Sequence, residues 1–401
     1  MLFIYLLGFF IAVYIVLSVA IRVNMYFWHT QPVFHIYNLK YWLRPPGTIN
    51  VAPPPINKFV NLSNNSLVRA ASEAASEAGA SEAAPASHLS KICKFISDYY
   101  VIHATTTYKP SEQDIMAYLL CTNQPSFFNV YQEAPIPFVP ERAIVGVTSC
   151  RVLNVVLRKK TFPVYYVDNL CIHPGYRKKG IAPEMIQSFY YTMSRTNPKV
   201  NAYLFKREGQ LNAIVPLVCY DTYCFDMTYF CAEPHLHVSV VEIGATQLNL
   251  FSTFMKEHTA NFECIILPDI SSVLNLLKLG KIKIYGIQHQ GTLTAVYVFR
   301  LLELYYDEKK AVECIAILSK HKQSKQSTDI LMAGFTMIWT KLSAETKCAI
   351  VFIEDTAHSQ AVIKPLDTNP LVSRIFKSPT AFFLYNYAAY SASNKKTLLF
   401  Y

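Results

Sequence analysis

Apolar and polar positions divide this chain into four unlike stretches. Residues 2–21, LFIYLLGFFIAVYIVLSVAI, carry no charge over 20 positions, about the length a helix needs to cross roughly 30 Å of hydrocarbon. Residues 22–50 are mixed and aromatic. Residues 51–90 are rich in proline, alanine, serine and glutamate, including RAASEAASEAGASEAAPAS, with almost no large apolar side chain after Val68. Such a composition buries too little surface to offset its ordering entropy and predicts a disordered linker, whose ASEA repeats can turn transiently helical. From about residue 91 the pattern is globular to the end.

Within that globular part, helical spacing of apolar residues covers 91–102 and 111–120. Positions 143–157 and 162–172 read as strands, 183–194 as a helix and 200–205 as a strand. Residues 211–218 fit a short helix or a strand. After about 233 a similar order returns: a helix at 248–257, strands at 281–288 and 293–298, a helix at 328–342 and a strand at 349–354. No sequence repeat relates the two parts. The expected fold is α+β, with two halves of mixed β-sheet flanked by helices. The expected divisions are a transmembrane anchor (1–21), a juxtamembrane segment (22–50), a low-complexity linker (51–90) and two halves (91–232 and 233–401).

Charge refines the picture. No Lys or Arg precedes the apolar run, whereas Arg22, Lys40 and Arg44 follow it. The positive-inside bias therefore points to a single-pass membrane protein with the bulk of the chain facing the cytoplasm. A cleaved signal peptide is the alternative, but the run is long and lacks a basic leader. The ten cysteines stand singly with no CxxC pair, as in a reduced compartment rather than a disulfide scaffold or zinc site; no metal is expected. The sequons at Asn61 and Asn64 matter only on the luminal side. The net charge of +10 suits an anionic membrane face or a phosphate-bearing ligand. No basic-aromatic module of the nucleic-acid kind is visible.

The chemistry concentrates at residues 171–183, CIHPGYRKKGIAP, between a strand-like run and a helix-like run. A glycine lets backbone N–H groups approach a diphosphate, the helix start adds unpaired donors, and the cations add charge-assisted contacts. Pro183 fits a first helical turn. A solvated basic loop has the same composition, but Arg177, Gly180 and Ala182 fit the R/Q-x-x-G-x-G/A turn of acyl-CoA-dependent N-acyltransferases.

Three further stretches extend the match: YFWHTQPV (26–33), VDNLCIHPGYRKKGIAP (167–183) and LYNY (384–387), followed by a tail ending KTLLFY. In this order the set resembles the N-myristoyltransferase family over residues 22–50 and 91–401, and so implies a GNAT-like acyltransferase fold. The resemblance implies that Tyr26, Phe27 and Trp28 cover the CoA adenine and pantetheine, and that Cys171 and Ile172 continue the acyl-CoA strand. It makes Arg177, Lys178, Lys179, Gly180, Ile181 and Ala182 the phosphate-binding turn. It assigns the oxyanion hole to the backbone N–H groups of Asn169 and Leu170, and the catalytic base to the carboxylate of Tyr401.

The implied activity is transfer of a long acyl chain from myristoyl-CoA, a co-substrate rather than a resident cofactor, to the N-terminal glycine of acceptor proteins. Departures from the family pattern are Asn169 for phenylalanine, Lys178 and Gly180 in the turn, and an aromatic last residue. The family's peptide-groove segments are unrecognisable; CYDTYCFDM (219–227) and AVECIAILSKH (311–321) stand near their expected positions. Glu354 and Asp355, at the end of the last strand, could touch a cationic amine but read first as a solvated strand end. Three functions follow: a membrane-anchored N-myristoyltransferase, an acyl-CoA-binding protein without turnover, and a short-chain N-acetyltransferase.

Overall fold

The structure, a computed structural model, describes residues 1–70, 86–101, 105–134, 142–209, 213–230, 238–321 and 324–401; the ASEA-rich stretch lies outside the described residues. The chain begins with α1 (Leu2–Asn24), α2 (Leu39–Leu43), β1 (Gly47–Thr48), β2 (Asn65–Arg69) and α3 (Ala86–Tyr99). It continues through β3 (Thr106–Tyr108), α4 (Glu112–Leu120), β4 (Phe127–Gln132), β5 (Ile144–Leu157), β6 (Lys160–Ile172), α5 (Ile181–Thr196), β7 (Tyr203–Glu208) and β8 (Val218–Asp226). Then come β9 (Ser239–Glu242), α6 (Leu248–His258), β10 (Cys264–Leu267), α7 (Ile270–Lys278), β11 (Ile282–His289), β12 (Thr292–Tyr306), β13 (Lys309–Ser319), α8 (Lys325–Thr346) and β14 (Ile350–Glu354). The last elements are α9 (Gln360–Thr368), β15 (Ser373–Tyr385), β16 (Tyr387–Ala388) and β17 (Thr397–Leu399). Among the described residues, α1 is the one helix long and apolar enough to cross a membrane.

Two strand–helix–strand units organise the body. β6 and β7 run parallel, Tyr165 opposite Tyr203, with α5 between them in sequence. β13 and β14 repeat the arrangement around α8, Ala311 opposite Ile350. The helices cover the sheet because their apolar residues recur on one face. α8 buries Leu331, Phe335, Ile338 and Leu342 at spacings of four, three and four. α5 buries Met185, Phe189 and Met193 in the same way. This is the α+β architecture expected from the sequence.

The two halves share one sheet, however, in the order β17-β10-β5-β6-β7-β15-β8-β14-β13-β12-β11-β9. β15 lies between β7 and β8, and β17 runs parallel to β10 beside β5. The boundary expected near residue 232 therefore divides the chain but not the sheet. The linker reading also fails in part. Asn65–Arg69 forms β2 and pairs with β4, and α3 starts at Ala86. The side-chain amides of Asn61 and Asn64 donate to Glu184 Oε2 and the Gln132 carbonyl, at 2.8 and 2.9 Å. Of residues 211–218, the described part holds a bridge from Ile214 to His35 and the start of β8 at Val218, which also bridges to Ala392.

Candidate functional site

The segments YFWHTQPV and LYNY meet at the start of the site. The Tyr385 hydroxyl donates to Gln31 Oε1 at 2.7 Å, and the Asn386 N–H donates to the Pro32 carbonyl at 2.7 Å. Asn386 adopts φ +59°, a left-handed geometry that asparagine tolerates. Its Oδ1 accepts from the Asn50 N–H at 2.8 Å, and its Nδ2 donates to the carbonyls of Asn50 and Asn201 at 3.0 and 2.8 Å. The clamp fixes the preceding aromatics against the body. Trp28 stacks on Phe205 of β7, with ring centroids 5.7 Å apart, and Phe27 is buried edge-on to Trp28. Tyr26 stays exposed.

Phe205 is also where β6 and β7 part. Their pairing ends at Val167 and Phe205, although β6 runs to Ile172 and β7 to Glu208. Just past that point β6 is bulged: Cys171 pairs with Val147 and Asp168 with Ser149. The extra residue lies at Asn169 and Leu170, and Asn169 has φ +54°. A bulge re-aims backbone groups beside a site. The Asn169 N–H donates to its neighbour's Asp168 Oδ1 at 2.8 Å, which also accepts from the Tyr100 hydroxyl at 2.9 Å. Leu170 is 39% exposed. Cys171 is buried, and burial pushes its thiol up to about 12. It holds its proton at neutral pH, which excludes a thiolate nucleophile at this position.

The basic turn follows β6. Arg177, Lys178 and Lys179 are exposed and precede the amino end of α5. Arg177 Nε donates to the Ile172 carbonyl at 3.1 Å. Lys178 and Gly180 both take positive φ, +63° and +81°. Ile181 has a buried side chain beside Met185 and Val145, so only its backbone is available to a ligand. Glu184, in the first turn, accepts from Asn61 and the Tyr131 hydroxyl.

A cavity of about 710 Å³ lies where the two halves meet. Its walls include Asn169 of β6, Lys206 of β7, Thr222 of β8, Arg300 of β12, Glu313 of β13 and Glu354 of β14. Thr222 and Glu313 come from the two stretches in which no peptide-groove motif is legible. Glu354 is not a solvated strand end: it is 3% exposed. Its Oε1 accepts from the hydroxyls of Tyr220 at 3.0 Å and Tyr401 at 2.5 Å and pairs with Lys206 Nζ at 3.0 Å. Asp355, next to it, is partly buried, and burial raises its carboxyl above the usual range.

Tyr401 is held by this group. Its ring, 4% exposed, packs against Phe382 and Tyr166, with Arg300 over one face at 4.6 Å. Burial raises its phenol well above the ordinary value, so it stays a donor to Glu354. Lys206 Nζ donates to the Tyr401 hydroxyl at 2.9 Å. Burial works to neutralise Lys206, but the neighbouring Tyr401 oxygen and Glu354 carboxylate keep its ammonium charged. Arg300 Nη1 donates to the main-chain carboxyl oxygen of Tyr401 at 3.4 Å, while its Nε donates to Glu313 Oε2 at 2.6 Å. Sequence reasoning had no signal for this cage, because its members come from seven strands and the chain end.

No protein-family model matches the chain, and no curated protein matches it by sequence. Its fold is nevertheless similar to that of solved structures of Saccharomyces cerevisiae N-myristoyltransferase. One with bound myristoyl-CoA has a TM-score of 0.67 at 13% identity, covering 92% of this chain and 94% of that one. A second with bound myristoyl-CoA has a TM-score of 0.66 at 13% identity, covering 92% and 90%. A third, with myristoyl-CoA and inhibitors, has a TM-score of 0.65 at 14% identity, covering 95% and 94%. The chain has the N-myristoyltransferase fold.

Proposed function

We propose that this chain is a membrane-anchored acyltransferase that moves a long acyl group, myristoyl in the first instance, from acyl-CoA to the N-terminal glycine amine of an acceptor. The observation that supports it best is the opening between β6 and β7 beside the bulge at Asn169, facing a cavity whose wall includes Lys206, Arg300 and Glu354, the three groups that hold Tyr401. On this reading the CoA phosphates lie on the turn from Arg177 to Ala182. Trp28 and Phe27 cover the pantetheine, and the thioester reaches the bulge.

The acceptor amine enters the cavity as an ammonium. The main-chain carboxylate that Tyr401 carries as the last residue of this sequence takes a proton from it. The amine nitrogen attacks the thioester carbon, and the N–H groups of Asn169 and Leu170 stabilise the oxyanion. The carbon–sulfur bond then breaks, CoA leaves as a thiolate, and the nitrogen's second proton passes to that thiolate. Donors of this kind are worth roughly 3–4 kcal/mol each. For Asn169 to contribute, Asp168 has to release its N–H.

Two observations favour a second reading, an acyl-CoA-binding protein without turnover. The Asn169 N–H is engaged, and Arg300 beside the Tyr401 carboxyl oxygen weakens it as a base. Glu313 offsets part of that cation's field. The deciding experiment incubates the full chain, untagged at Tyr401, with myristoyl-CoA and a pool of glycine-initiated peptides. Release of CoA with a myristoylated peptide is the expected result. Binding of myristoyl-CoA with no product overturns turnover and leaves the second reading.

A further inference from the structure

The anchor and the body are not joined by a free stalk. One face of α1 and the residue that caps it, Tyr14, Ser18, Ile21 and Met25, follows the four-three-four spacing of a helix contact stripe. The Tyr14 hydroxyl donates to the Tyr37 carbonyl at 2.7 Å, Ser18 is 7% exposed, and Met25 packs against the body core. Arg22 lies 5.2 Å over the Tyr37 ring. Only residues 2–13 rise clear of these contacts, and twelve helical residues span roughly 18 Å. A bilayer's hydrocarbon is about 30 Å thick. If α1 crosses it, the remaining length of helix, and the body surface bonded to it, must sit inside the membrane boundary.

That surface is built for such a position. Ile36, Leu39, Trp42 and Leu43 are 45%, 58%, 45% and 85% exposed. The backbone beneath them is satisfied internally, which burial near lipid requires. The Ile36 carbonyl accepts from Trp42 Nε1 at 2.8 Å, the Tyr37 carbonyl from Tyr14, and the carbonyls of Trp42 and Leu43 from the Tyr390 hydroxyl at 2.9 and 3.0 Å. Lys40 and Arg44 flank the apolar residues, and no Asp or Glu occurs before Glu73. Tryptophan and tyrosine beside cations favour the headgroup region of an anionic leaflet.

We propose that the segment from Ile36 to Leu43 is a membrane seat: it inserts into the headgroup boundary of an anionic bilayer and holds the body flat against the surface. The inference rests on the reading of α1 as an anchor, and the test separates the two. Full-length protein is reconstituted into phosphatidylcholine–phosphatidylserine vesicles whose acyl chains carry bromine. Flotation reports the anchor, and tryptophan quenching reports the seat. Expected are flotation of wild type and Trp42→Phe alike, and marked quenching in wild type that Trp42→Phe largely removes. A Leu39→Ser/Leu43→Ser pair should float but show several-fold weaker quenching of Trp42. Flotation with quenching unchanged by Trp42→Phe overturns the seat alone. Failure of wild type to float overturns the anchor and the seat with it.

Discussion

Tyr385 donates its hydroxyl to the side-chain oxygen of Gln31 across 354 positions of sequence, and both groups are buried. The bond ties the segment after α1 to the last long strand. Tyr385→Phe leaves the Gln31 oxygen without that donor. An orphaned buried acceptor costs about 1–3 kcal/mol, so the melting temperature should fall and the bond from Lys40 to Tyr41 should become more open to trypsin. An unchanged melting temperature would count against the clamp.

The chain end should be sensitive to length and to chemistry separately. One residue added after Tyr401 turns its main-chain carboxylate, which accepts from Arg300 Nη1, into an amide that cannot act as a base. Transfer to a glycine peptide should be lost, with myristoyl-CoA binding, measured by calorimetry, nearly intact. Tyr401→Phe keeps the carboxylate but removes the bonds to Glu354 and Lys206. It should reduce transfer about tenfold, by loosening the base, and restore no activity to the extended chain.

Gly180 tests the turn. Its φ of +81° is strained for any residue with a Cβ, yet nothing lies within 4 Å of where that Cβ would stand. Gly180→Ala should therefore act through backbone strain alone, roughly 1–2 kcal/mol. Acyl-CoA affinity should fall several-fold, and Gly180→Asn should fall less. Equal losses for both would indicate a steric rather than a conformational cause.

His35 sets a pH dependence. Burial, the largest influence, lowers its pKa from 6.5 to about 4. The folded chain thus binds the proton less readily than the unfolded chain, and stability falls as pH falls. The stabilisation is fully present above about 6.5 and is lost progressively towards about 4. His35 stacks on Tyr37 at 4.9 Å. In His35→Phe, melting temperatures between pH 7 and 4 should decline less steeply than in wild type.

The parts of this fold that could be read from sequence are those whose signals are local. β6, α5 and β7 follow one another as an apolar run, a glycine–proline turn and a helical stripe. β8 and β15 escaped because charged residues interrupt them and Pro379 lies within β15. β2 is five residues inside a stretch of linker composition, and only its pairing with β4 makes it a strand. Glu354 looked like a strand end because acids usually face water. Its partners Tyr220, Lys206 and Tyr401 are up to 148 positions away, a distance over which composition and periodicity carry no signal.

The interleaved sheet also imposes an order on biosynthesis. β7 and β8 are completed by β15, and β10 by β17, so the first half of the sheet cannot close until β15 and β17 have left the ribosome. Until then, the edges of β7, β8 and β10 stand open to other chains, the condition under which sheet proteins aggregate. A tether at the opposite terminus would hold each nascent chain at a membrane through that interval, away from its neighbours in bulk solution.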